Sequence, residues 1–143
     1  MPRRIDPTAG RAAVRAWIKS HGDQTLSMPG ATTTRDAAPT ADRMTTATAV
    51  RYSLEELAAQ APGGALEVRV PPYGATQCIE GPRHTRGTPP GVVEMDADTW
   101  LALAIGDLEW ADALASGAVR ASGERANLEK WLPLAPVLQH DAS

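Results

Sequence analysis

Glycine and proline dictate what this chain can fold into. Ala61-Pro62-Gly63-Gly64, Pro71-Pro72-Tyr73-Gly74, the Gly81–Pro90 stretch, Gly106, Gly117, Gly123 and Pro133 cut everything after Gln60 into short pieces. Proline lacks the amide donor that a helix or central strand needs, and glycine readily takes the left-handed backbone that ends a helix. Only short strands and short helices fit between such breaks.

The pieces have distinct periods. Leu66-Glu67-Val68-Arg69-Val70 alternates apolar and polar residues, the pattern of a strand with one apolar face. Ala75–Glu80 alternates weakly and reads as a strand returning antiparallel, and Val92–Met95 and Ala118–Ser122 complete the set. Asp96 or Asp98 caps a helix that runs through Trp100, Leu101, Leu103 and Ala104 to Gly106. A second short helix, Glu109–Ala115, stops at Ser116-Gly117, and a last one, Arg125–Leu132, is closed by Pro133.

Upstream, Ala41–Gln60 reads as an amphipathic helix, with Ala47, Val50, Leu54, Leu57 and Ala58 on one face and Arg51, Glu55 and Glu56 turned elsewhere. Asp6 is the expected N-cap and Pro7 the first residue of a helix whose core is Ala9–Lys19, striped by Val14, Trp17 and Ile18. From His21 to about Thr40 periodicity vanishes, which predicts a flexible linker. The expected plan is an N-terminal helix over 1–21, a linker over 22–40, one domain over 41–136 and a disordered tail over 137–143. Strands and helices mix without βαβ repetition. That predicts an α+β fold, its mainly antiparallel sheet covered by helices on one face.

Charge and composition narrow the function. With 143 residues the chain can bury a core unaided, and a net charge of −3, from 17 acidic against 14 basic residues, offers no basic footprint for nucleic acid. Cys78 is the one cysteine, so an intrachain disulfide and a cysteine-based metal cluster are both excluded. The first 19 residues hold no uninterrupted apolar stretch, no run approaches a membrane span, and cytoplasmic residence is expected.

The run Thr99-Trp100-Leu101-Ala102-Leu103-Ala104-Ile105-Gly106, then Trp110 to Gly117, then Val119-Arg120-Ala121-Ser122-Gly123, resembles the C-terminal half of sterol carrier protein domains. Val68 to Gly74, followed by Gln77 to Pro90 with its Gly-Pro-Arg-His-Thr-Arg-Gly loop, is similar to a small, single-domain actinobacterial branch of that family. The resemblance covers Ala47 to Leu134. It implies a sheet of about five strands, layered by helices around an apolar tunnel that accepts acyl chains, sterols or similar lipids.

Under that resemblance the expected cavity walls are Val68, Val70, Ile79, Val92, Trp100, Leu101, Trp110, Leu114, Val119 and Trp131. Arg83, His84 and Arg86 are the candidates for a cationic rim that holds a head group, although a loop held by hydrogen bonds from Arg83 and His84 to Glu80, Glu94 or backbone carbonyls is the better reading. Cys78 with His84 as its base would make a thiol enzyme, but nothing in the sequence supplies a third orienting group, and a structural thiol is the better reading. Asp96, Asp98, Asp107 and Asp112 sit where helix caps belong. No metal spacing, nucleophile triad or phosphate loop is present, so no catalysis and no cofactor is expected. The leading expectation is binding or transport of a lipid or other hydrophobic small molecule. The alternative is a solidly filled accessory module, a homodimer or a subunit docked on an enzyme, with the first helix free to pack on a neighbouring chain.

Overall fold

The computed structural model describes residues 5–26, 40–81, 91–123 and 126–134. In chain order they form α1 (Pro7–Leu26), α2 (Thr40–Gln60), β1 (Leu66–Val70), β2 (Gly74–Cys78), β3 (Gly91–Met95), α3 (Ala97–Ile105), α4 (Trp110–Ser116) and β4 (Val119–Gly123), with a 3-10 turn at Glu129–Trp131. The fold is α+β. Asp6 caps α1 as expected, its Oδ2 accepting from the Ala9 amide at 3.2 Å. The helix then runs on to Leu26, past the point where its stripe fades. Residues 27–39, the 82–90 loop and the tail from 135 lie outside the described residues.

The sheet has the order β2-β1-β3-β4. The residue-by-residue reading had four strands. The fifth that the resemblance implied is not found among the described residues. β1 pairs antiparallel with β2, and β3 with β4, but the central pair β1 and β3 is parallel. The reason lies in the connections. The short Pro71–Tyr73 turn makes β1 and β2 a hairpin, whereas Ile79–Pro90 is long enough to carry the chain across to the free edge of β1.

Register assigns the faces. Val68 lies beside Val93, Leu66 beside Cys78 and Met95 beside Val119, so these residues share one buried face. The opposite face carries Glu67, Arg69, Gln77, Glu94 and Arg120, with ion pairs Arg69–Glu67 at 3.1 Å and Arg120–Glu94 at 3.7 Å. Such surface pairs add little stability. Their value is in keeping that face wet.

The strand predicted to reach Glu80 stops at Cys78, because Ile79 turns to φ 68°. There its amide donates to the Ala61 carbonyl at 2.6 Å, and its own carbonyl accepts from Ala65 at 2.9 Å. Positive φ is rare for a β-branched residue, so these tertiary bonds override the strand pattern. Gly63, at φ 145°, lies directly against the Ile79 carbonyl, where a Cβ has no room.

Helices α1 and α2 pack on each other, and α2 covers β2 and touches α3. Three contacts tie α1 to its own domain. Gly10 lies on the Tyr52 ring, Trp17 Nε1 donates to Asp98 at 3.2 Å, and the Ile5 amide donates to Glu55 at 3.3 Å. Burial of α2 is wider than its predicted stripe. Val50, Leu54 and Leu57 are inside as expected, but Tyr52, Ser53 and Glu56 are buried too, which corrects the outward placement of Glu56. Packed between α1, α3 and the sheet, the helix has little circumference left for water.

The C-terminal helix predicted over 125–132 is replaced by the single 3-10 turn Glu129–Trp131. Asn127 Oδ1 accepts from the Glu129 amide at 2.7 Å, a side-chain turn that competes with helix initiation. Past it, the Leu134 amide donates to the Ala104 carbonyl at 2.9 Å. The extended path lets both Leu128 and Leu134 reach the core, where each is fully buried.

Candidate ligand-binding interior

The interior is built from the buried sheet face, α2, α3 and the first residue of α4. Asp96 starts α3, its Oδ1 accepting from the Thr99 amide at 2.9 Å, and Gly106 ends it at φ 86°. Between those caps Trp100, Leu101, Leu103 and Ala104 are all buried. Asp98, the other cap candidate, instead receives the Trp17 indole.

Of the residues expected to wall a cavity, Val68, Val70, Trp100, Leu101, Trp110 and Val119 belong to one buried apolar cluster. Ile79 and Trp131 are half-buried against it. Two others are not brought there. Val92 lies on the charged face of the sheet, level with Glu67 and Ser122, because register with β1 turns Val93 inward instead. Leu114 points outward and is 40 % exposed, since α4 presents Trp110 and Ala113 to the core. The rim candidates Arg83, His84 and Arg86 lie outside the described residues.

Sequence reasoning missed Val93, Tyr52 and Ser53. The parity of Met95 signals Val93, and Ser53 lies three residues after Val50 on the same helical stripe. Ser53 and Glu56 are the buried polar and charged side chains of the described residues. The Ser53 hydroxyl bonds back to the Ala49 carbonyl at 2.7 Å and accepts from Trp100 Nε1 at 2.8 Å. Trp110 differs from Trp17 and Trp100. It is 5 % exposed, and its Nε1 has no hydrogen-bond partner among the described residues.

Cys78 lies beneath the sheet with no solvent exposure, and burial pushes its thiol from 9.0 up to about 12. A neutral, enclosed thiol is a poor nucleophile. Because the unfolded chain ionises near 9.0 while the folded one holds its proton to about 12, stability should fall as pH rises through that window. The expected slope is about 1.4 kcal/mol per pH unit, relative to Cys78→Ala. Urea titrations of both proteins across the window read it. Parallel pH profiles would show that the thiol ionises equally in both states. Among the described residues no group of His, Cys, Asp and Glu is placed to hold a metal ion.

With this geometry in hand, the family match is decisive. A model described as "bacterial SCP ortholog" matches residues 42–134, from α2 through the 3-10 turn.

The chain belongs to the sterol carrier protein (SCP) family.

The matched span of this SCP-family chain contains the whole sheet, α3 and α4, whereas α1 precedes it. No curated protein matches the chain. Among the described residues, no helix is long and apolar enough to cross a membrane.

Proposed function

We propose that this SCP-family chain binds and carries a lipid or another hydrophobic small molecule between its helices and the inner face of its sheet, without catalysing a reaction. The observation that carries the reading is the chemistry of that interior. Sheet, α3 and α4 turn Val68, Val70, Leu101, Trp100 and Trp110 to one side, with Ser53 and Glu56 as the buried polar and charged side chains described. Such a lining offers an apolar molecule dispersion contacts and little competition from water. Family membership supports the same ligand class. The protonated Cys78 speaks against a thiol enzyme. The accessory-module reading, a core filled solid that serves dimerisation or docking, loses one support, because α1 packs on α2 of its own chain.

Native mass spectrometry of freshly purified protein, followed by organic extraction, tests the proposal. A co-purifying lipid or apolar metabolite is expected. A clean ligand-free mass, together with no uptake of fluorescent acyl probes, would sink it. The same spectrum reads the oligomeric state.

A further inference from the structure

Three tryptophans reach the buried core, and two of their indole N–H groups are spoken for. Trp100 donates to Ser53 Oγ at 2.8 Å and Trp17 to Asp98 Oδ1 at 3.2 Å. Trp110 is as deeply placed, at 5 % exposure, yet its Nε1 has no partner among the described residues. A buried donor left unmade gives up its water without compensation, and folded proteins rarely tolerate that without a reason.

The surroundings of Trp110 supply the rest. It opens α4, and Leu114, one turn on, stands beside it on the helix surface. Leu114 is 40 % exposed and Leu108 half-buried, so apolar surface open to a ligand lies on the same short segment as a dry, unused donor. The charge of the acceptor can also be argued. No lysine, arginine or histidine is buried among the described residues, and Trp110 is flanked in the chain by the acidic Glu109 and Asp112, so an ionised carboxylate would find no buried cation among those residues to offset its lost hydration. A neutral carbonyl gives up far less.

We infer that Trp110 Nε1 is the hydrogen-bond donor for the bound ligand, and that the ligand is an apolar molecule bearing an uncharged acceptor oxygen, such as an ester or ketone carbonyl. This rests on the binding function proposed above, which it sharpens from any hydrophobic molecule to one with a neutral oxygen acceptor.

Indole proton signals in ¹⁵N-labelled full-length protein, titrated with methyl laurate, sodium laurate and tridecane, separate the possibilities. With methyl laurate the Trp110 indole proton should move downfield, and those of Trp17 and Trp100 should hold still. Methyl laurate should bind more tightly than laurate, and Trp110→Phe should weaken methyl laurate about tenfold more than it weakens tridecane, which loses only apolar contact. If the wild type binds ester and alkane but the Trp110 proton does not respond, the assignment is wrong and the binding function stands. Tighter binding of laurate than of its ester overturns the neutral acceptor. Binding of none of the three by the wild type removes both the inference and the reading beneath it. The wild-type signals decide the matter even if Trp110→Phe folds poorly.

Discussion

Trp100→Ala is expected to cost about 3–5 kcal/mol of folding free energy, much of what a domain of this kind possesses. Trp100 is the largest fully buried side chain in the described residues, and it stands where α2, α3 and the sheet meet. Truncation would leave a cavity and strip Ser53 Oγ of the donor it accepts at 2.8 Å. Urea unfolding checks the figure. A loss below about 1 kcal/mol would mean that the interior collapses easily around the gap. Ser53→Ala isolates the polar part and should cost about 1–3 kcal/mol, because it leaves the Trp100 indole buried without an acceptor. Combining Ser53→Ala with Trp100→Phe should cost less than the sum of the two, since the second change removes the orphaned donor.

Gly10→Val should detach α1 from the domain. Helix propensity alone favours almost any side chain over glycine, by up to about 1 kcal/mol, so a helix acting by itself would be stabilised. The contact with Tyr52 reverses the sign. A Cβ at position 10 falls on the root of the Tyr52 side chain, not on a flexible tip that can swing away. Overpacking of this kind costs about 1–3 kcal/mol. Amide exchange should then rise across Ala9–Lys19 and around the Trp17–Asp98 contact while the sheet keeps its protection. A second change, Tyr52→Ala, should recover part of the loss. Unchanged exchange in α1 would show that the two helices part without strain.

These two sites stand at opposite ends of what a reader of the sequence sees. Trp100 lies between an aspartate and a glycine that announce a short helix, and the structure caps that helix with Asp96 and Gly106. Gly10, inside a predicted helix, looks only like a weak helix former, because the ring that demands it comes from Tyr52, far along the chain. The candidate interior divides the same way. Trp100, Leu101, Val68 and Val70 are placed by periods of 3.6 and 2 within their own segments. Val92 and Val93 are adjacent valines, and only register with β1 decides that Val93 goes in. Leu114 has the side chain of a core residue but sits on the open side of a helix of seven residues. The polarity of the 82–90 loop put Arg83, His84 and Arg86 forward, and they stay outside the described residues.

By itself the sequence determined where elements start and stop. Asp6, Asp96, Gly106, Gly117 and the Pro71-Pro72 turn act through bonds and dihedral limits within a few residues, so their effect needs no partner. The α+β class and the alternation of β1 follow from the same local rules. Only the tertiary structure decided the parallel pairing of β1 with β3, the burial of Glu56, the left-handed turn at Ile79 and the loss of the last helix. The first three depend on a partner distant in the chain, and the last joins the local Asn127 turn to the long-range bond from Leu134 to Ala104. Long-range hydrogen bonds and packing there outweigh local preferences worth about 1 kcal/mol or less per residue.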